Sequence, residues 1–189
     1  MANGVSRGVP AGLLEVIARP GPLIILPHDN PDPDALAAAA TLQYLAKRLA
    51  EKDSTIALGG IVGRAENRAM LRYLNIQLVP VGELGLENSD AIIALVDTQP
   101  GRRNNSLPEG VSASIVIDHH PASAPHEDVV FADLRDNYGA TATILAEYLM
   151  DKRLEVEGKI ATALFYGIMA ETQDLGRESM DADTDACHF

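Results

Sequence analysis

The sequence predicts an α/β fold, a parallel β-sheet flanked by helices on both faces, and three observations carry that expectation. Short apolar runs alternate with longer segments of helical periodicity, the pattern that gives a parallel sheet with right-handed crossovers. The strongest runs, Leu23–Leu26, Ala91–Val96 and Ser114–Ile117, are apolar at successive positions rather than alternating, as strands buried on both faces are. Each of these runs also ends abruptly in acidic or histidine residues. In an open parallel sheet the carboxyl ends of the strands share one rim, where such folds bind their ligands.

In chain order, Gly12–Arg19 reads as a short amphipathic helix with Leu13, Leu14, Ile17 and Ala18 on one side, broken by Pro20-Gly21-Pro22. Strand Leu23–Leu26 runs into His28-Asp29-Asn30-Pro31-Asp32-Pro33-Asp34. Asp32 is placed to cap a helix with Pro33 at its first position. Ala35, Ala38, Ala39, Leu42, Leu45, Ala46 and Leu49 then follow at helical spacing to about Lys52. Thr55–Leu58 reads as a strand, Glu66–Tyr73 as a helix and Gln77–Val81 as a short strand. Ala91–Val96 ends in Asp97-Thr98, and Ser114–Ile117 ends in Asp118-His119-His120. Val129–Phe131 is a short strand followed by a polar loop to Asn137. Thr141–Leu149 and Lys159–Ala170 are helical. The segment 181–189 reads as a helix start cut short, with Thr184 or Asp183 as its cap.

Composition narrows the class. Of the 189 residues, 47% are hydrophobic and 22% charged, so an ordinary packed core is expected rather than disorder. Aromatics make up only 4%, which leaves the core to Ala, Leu, Ile and Val, as in helix-covered parallel sheets. The net charge of -12 argues against gripping long nucleic acid through phosphate neutralisation alone. It leaves room for a small anionic substrate, because a bound divalent cation inverts the local field. One cysteine, Cys187, rules out a disulfide framework or a zinc–thiolate cluster. No apolar run approaches membrane-spanning length and no leader pattern opens the chain, so a cytoplasmic protein without a membrane partner is expected.

The three strand ends bring His28, Asp32 and Asp34, then Asp97, then Asp118-His119-His120 to one rim. Carboxylates gathered in one crevice repel, and a bound cation relieves that directly. Carboxylate oxygens with a minority of imidazole suit Mn or Mg better than a structural zinc site. Several carboxylates suggest two metals about 3.5–4 Å apart with a bridging ligand, the arrangement that activates water against a phosphoester or phosphoanhydride. The expected metal site thus sits at the carboxyl ends of the strands.

These residues resemble those of a known family. His28-Asp29-Asn30-Pro31-Asp32-Pro33-Asp34-Ala35 resembles the first motif of the DHH phosphoesterase superfamily, which includes RecJ-like and nanoRNase-like members, and Asp118-His119-His120 resembles the triplet that names it. Asp97 resembles the second motif. Gly167-Ile168-Met169-Ala170-Glu171-Thr172 resembles the fourth, a Gly-Ile-x-x-Asp-Thr pattern with Glu171 where the family usually has Asp. The likeness runs from about residue 20 to 180.

The resemblance implies His28, Asp32 and Asp97 around one metal, and Asp34, Asp97 and His119 around the other, with Asp97 bridging. Glu171 would complete the second site, with Asp174 as a substitute on the same helix. His120 would meet the substrate phosphate while Asp118 orients the histidines. Two manganese ions are the implied cofactors, and Mg also suits. Among the remaining residues, Arg102 and Arg103 follow Asp97 and are candidate phosphate contacts. Tyr138-Gly139-Ala140-Thr141 opens a helix whose N–H groups offer an anion site, with Thr141 as the contact. Arg177 is a candidate for the site mouth, His126 reads as a surface histidine, and His188 has no identified partner.

The implied layout is a lead-in with its helix over residues 1–20, the DHH domain over 21–180, and the start of a linker or helix over 181–189. The C-terminal substrate-binding domain that accompanies such domains, with its Gly-Gly-Gly-His-like motif, has no counterpart here. The expected function is metal-dependent hydrolysis of a phosphodiester or phosphomonoester in a small nucleotide: a short oligonucleotide, a cyclic dinucleotide or a 3′-phosphoadenosine nucleotide. Exonuclease action on short single-stranded nucleic acid falls within this. The alternatives are a manganese-dependent inorganic pyrophosphatase, or a degenerate domain that binds nucleotide without turnover. Ala-rich helices leave a homodimer open.

Overall fold

The computed structural model describes residues 9–123 and 127–189. His126 lies outside the described residues. Six parallel strands form one sheet: β1 (Leu23–Pro27), β2 (Ser54–Leu58), β3 (Leu78–Pro80), β4 (Ile92–Val96), β5 (Ile115–Asp118) and β6 (Phe131–Leu134), in the spatial order β3-β2-β1-β4-β5-β6. Six α-helices accompany them: α1 (Ala11–Ile17), α2 (Pro33–Ala50), α3 (Ala65–Leu74), α4 (Thr141–Asp151), α5 (Gly158–Glu171) and α6 (Asp181–His188).

The order explains how the two faces differ. From β1 the chain steps outward through α2 to β2 and through α3 to β3, so right-handed crossovers put both helices on one face. It then returns past β1 to β4 and steps the other way, which sends every later connection to the opposite face. That second face carries two short 3₁₀ helices, Val81–Glu83 and Leu86–Asn88, and loops. Its core is small: Ile24, Leu26, Ala57, Leu86, Ile93, Leu95, Ala113 and Val116. The first face holds the main core, where Leu23, Ile25, Ala94, Val96 and Ile117 meet α1, α2, α4 and α5.

Helix α2 starts where the sequence places it. The Asp32 Oδ1 accepts the Ala35 N–H at 3.0 Å, and Pro33 needs no N–H partner at the first position. Its run of alanines lets α5 approach closely: a Cβ added at Gly167 would lie 2.8 Å from the Ala37 Cβ and 3.0 Å from the Pro33 carbonyl.

Two expectations shift. The last strand is Phe131–Leu134, not Val129–Phe131. Phe131 pairs with Ile115, and the strand continues through Asp133, whose charge disguised it as loop. Val130 instead is exposed and Val129 packs on the loop-covered face. The segment 181–188, expected as a helix start cut short, is a formed helix docked on α4 and α5, with Asp183 and Ala186 buried. Helix α1 likewise buries Leu13, Val16 and Ile17 in the main core. Among the described residues no helix is long and apolar enough to cross a membrane.

Candidate metal centre

The sheet order reverses direction between β1 and β4, and that switch point is where open α/β sheets form their binding crevice. His28, Asp32 and Asp34 leave the end of β1, Asp97 leaves β4, and Asp118-His119-His120 leave the neighbouring β5. Asp97 turns out of its strand in the left-handed region, φ 58°, a conformation that Asp tolerates better than most residues. That turn puts its carboxylate between the other two strand ends.

The distances confirm convergence. His28 Nε2 lies 3.7 Å from Asp32 Oδ1 and 3.5 Å from Asp97 Oδ2. His119 Nε2 lies 3.6 Å from Asp97 Oδ1 and 3.9 Å from Asp34 Oδ2. His120 Nδ1 is 3.7 Å from the same Asp97 Oδ1. Among the described residues, two tight donor groupings result, His28/Asp32/Asp97 and Asp97/His119/His120, with Asp97 common to both.

Both inner histidines present Nε2 to the cluster for a simple reason. His28 Nδ1 lies 2.9 Å from the Asp29 carbonyl oxygen, and His119 Nδ1 lies 3.1 Å from that of Tyr138. A carbonyl only accepts, so each Nδ1 must carry a proton, and in the neutral ring each Nε2 is left with a lone pair. Among the described residues, the Nε2 of His119 is buried with no hydrogen-bond partner. A buried orphan acceptor beside two carboxylates is what a divalent cation would satisfy, so the donor set fits a metal.

The electrostatics agree. Burial, followed by the neighbouring charges of Asp97 and Asp32, raises the Asp34 carboxyl well above its ordinary range. Burial and the Asp32 charge likewise lift Asp97 to about 6. Burial works against a charge on His28, but the facing Asp32 carboxylate and the charge of Asp97 outweigh it and push His28 up to about 9. The cluster recruits protons where it has no cation.

The remaining candidates are placed as follows. Asp34 is 1% exposed and accepts two backbone donors, Thr141 N–H at 2.8 Å and Ala142 N–H at 2.7 Å. The anion at the start of α4 is therefore the protein's own carboxylate. Thr141 accordingly takes a different role from the substrate contact expected of it: its buried hydroxyl donates to Asp97 Oδ1 at 2.9 Å. Asp118 is buried and accepts from the His120 N–H, His120 Nδ1 and Gln99 Nε2. The Asp118 hydrogen bond raises the pKa of His120, whose ring is 45% exposed.

Arg102 donates to the Pro121 carbonyl and, with Asp97, Thr98, Asn104, Asp118 and His120, lines a cavity of about 70 Å³. Arg103 instead lines a separate depression on the loop-covered face. Glu171 ends α5 one turn beyond Gly167, outside both donor groupings. Asp174 is exposed, Arg177 lies 3.6 Å from Glu178 on the surface, and His188 is exposed in the last turn of α6.

Sequence reasoning missed Gln99. Its amide donates to Asp118 and to the His120 and Pro121 carbonyls, and its oxygen accepts the Ser123 N–H. An uncharged residue two positions after Asp97 gave no signal of its own.

A six-stranded parallel sheet with an Asp- and His-rich cluster at its switch point defines an α/β domain with a candidate metal centre. The chain matches the DHH family, N-terminal domain, over residues 22–168, and it belongs to that family. It is 42% identical over 169 residues to the uncharacterised protein MJ1633 of Methanocaldococcus jannaschii, covering 89% of this chain and 34% of that protein. It is 26% identical to a probable manganese-dependent inorganic pyrophosphatase of Enterococcus faecalis, covering 79% of this chain and 48% of the relative. It is also 24% identical to the cyclic-di-AMP phosphodiesterase GdpP of Bacillus subtilis, covering 97% and 30% respectively. The chain thus spans half or less of each of these relatives.

Proposed function

We propose that this domain is the catalytic part of a manganese-dependent phosphoesterase that hydrolyses a phosphodiester or phosphomonoester in a small nucleotide. The observation that carries the reading is the pair of donor groupings sharing Asp97, with the Nε2 of His119 buried and unpartnered between carboxylates. His28, Asp32 and Asp97 would hold one ion, and Asp97, His119 and Asp34 the other. When bound, such ions supply a water of lowered pKa and offset charge on the phosphoryl group.

The protein's own groups account for the rest. Asp97 is kept in place by the Thr141 hydroxyl, so the shared ligand does not swing away from either side. Asp118 fixes the His120 ring and favours its charged form. His120 and Arg102, on the same small cavity, then present positive charge to the phosphoryl oxygens. As the water oxygen bonds to phosphorus and loses a proton to solvent, the ester P–O bond breaks and His120 gives the departing oxygen its proton.

The net charge of -12 favours short oligonucleotides, cyclic dinucleotides or bisphosphonucleotides over long duplexes. The likeness to the phosphodiesterase GdpP supports the same class. Likeness to pyrophosphatases favours a second reading, hydrolysis of inorganic pyrophosphate at the same site. The test is turnover of a dinucleotide, a bisphosphonucleotide, cyclic di-AMP and pyrophosphate with added Mn²⁺. Hydrolysis of a nucleotide substrate supports the first reading, and hydrolysis of pyrophosphate alone supports the second. Nucleotide binding with no turnover of any of the four sinks both.

A further inference from the structure

Asp183 is a buried carboxylate with no part in the chemistry above. It is 0% exposed, on the docked helix α6. Its Oδ2 accepts the Gly139 N–H at 2.9 Å and the Met180 N–H at 2.7 Å, and its Oδ1 accepts the Thr143 hydroxyl. A side chain at position 139 would not fit there: an added Cβ would lie 2.7 Å from Asp183 Oδ2 and 2.7 Å from Thr172 Cγ2.

The Gly139 N–H and the Tyr138 C=O belong to one peptide group. That group is planar, and in the trans form its N–H and C=O point in opposite directions. One end of this unit is held by Asp183. The other end is the acceptor for His119 Nδ1 at 3.1 Å. A carboxylate accepting the N–H polarises the peptide and strengthens its carbonyl as an acceptor. The far end of the same turn is anchored independently, because Arg135 N–H donates to the Asp118 carbonyl and Tyr138 N–H to that of Arg135.

We propose that Asp183 is a positioning residue for the metal centre: through the Tyr138–Gly139 peptide it holds His119 as the Nδ1–H tautomer and aims Nε2 at the cation. The inference rests on the reading of His119 as a metal ligand. It assigns to α6 a role that reaches the site through a single amide plane.

The test compares Asp183→Ala with Asp183→Asn in the full chain. Alanine removes every acceptor. Asparagine can keep the Gly139 and Met180 donors on its oxygen while its amide nitrogen turns to the Thr143 hydroxyl. In Asp183→Ala, the ¹⁵N shifts of His119 should report a mixed tautomer population, and Mn²⁺ affinity should fall about 10-fold, the low end for loss of an outer partner of a metal-bound histidine. Asp183→Asn should restore the Nδ1–H tautomer and Mn²⁺ binding. A variant that melts earlier yet keeps wild-type tautomer and Mn²⁺ affinity overturns the proposal, leaving Asp183 a purely structural group.

Hydrogen exchange in the unaltered protein gives a check that needs no variant to fold. The Gly139 amide should exchange as slowly as the inner amides of α4, and free exchange there overturns the relay. None of these readouts uses substrate. A wild type that binds Mn²⁺ through His119 but hydrolyses nothing would sink the phosphoesterase reading and leave this one standing.

Discussion

Two buried clusters of charge lie near one another in this molecule and are built on opposite rules. Around Arg135, the guanidinium makes paired bonds to Asp133 at 2.8 and 2.7 Å, donates to Glu147 Oε2 and Tyr138, and lies 5.0 Å from the Tyr138 ring centre. Tyr148 completes it by donating to Asp133. There a cation supplied by the chain sits among its anions, and the guanidinium stays charged well above its ordinary range: burial opposes this, and the Asp133 and Glu147 bonds outweigh it. Around Asp97, among the described residues, no lysine or arginine forms an ion pair with the carboxylates, two of them are pushed toward the protonated form, and one imidazole nitrogen has no hydrogen-bond partner. A structural cluster closes on itself. A site for a foreign ion is left one cation short.

That contrast can be broken most sharply at Asp97. Asp97→Asn should abolish Mn²⁺-dependent turnover, because both donor groupings lose a shared charge, yet the metal-free protein at pH 8 should unfold no more easily than wild type in urea. A loss of stability as large as that in the Arg135 cluster would show that the metal-side charges are already matched.

His120 sharpens the comparison because it belongs partly to each kind. It is paired by its own Asp118 yet lies 3.7 Å from Asp97. His120→Ala should lower kcat by about 10²–10⁴-fold, the range for a positioned acid, with bound Mn²⁺ near normal by elemental analysis. Loss of one ion per chain would instead make His120 a ligand.

Arg135→Met should destabilise the fold by about 3–5 kcal/mol in urea unfolding, since it strands Asp133 and Glu147 in the interior. A change below about 1 kcal/mol would mean that water reaches those carboxylates freely.

The smallest effect is a slope. Asp97, raised to about 6, and His28, raised to about 9, bind protons more tightly folded than unfolded. The stability they lend is present at low pH and lost as pH rises through 6 and then 9. Asp32 and Asp118 are held low against the burial that opposes their ionisation, and they act in the opposite sense, at pH below the usual carboxylate range. Thermal scans of metal-free protein between pH 5 and 9 should therefore show a falling melting temperature, and saturating Mn²⁺ should flatten it. A metal-free profile flat over that range would refute the unmatched-charge account.

How much of this was legible in the sequence follows from distance along the chain. The strand ends were readable because His28, Asp32, Asp97 and Asp118 each follow their own apolar run within a few residues. The Asp32 cap and Pro33 mark the start of α2 by local rules alone. What escaped is held by long-range contacts through groups with no charge pattern. The His119 partner is a backbone carbonyl 19 residues on, and Asp183 meets Gly139 across 44 residues. Thr141 was legible as a helix start but not as the group that holds Asp97, because that bond exists only once β4 and α4 are packed. In β6 a charged residue needed by Arg135 concealed a strand, so the local pattern misled for a tertiary reason.

The Asp34 bonds to the start of α4 carry a kinetic consequence. They join residues 107 and 108 positions apart, so the pocket does not exist until both halves of the chain have come together. Such closures form after local ones during folding. The β1–α2–β2 unit should collapse early without any ability to capture the ion, and Mn²⁺ should leave the refolding rate nearly unchanged. Its effect belongs to the other limb: by tying Asp34 and His119 together it should slow unfolding, making the ion a latch on a finished fold rather than a template for one.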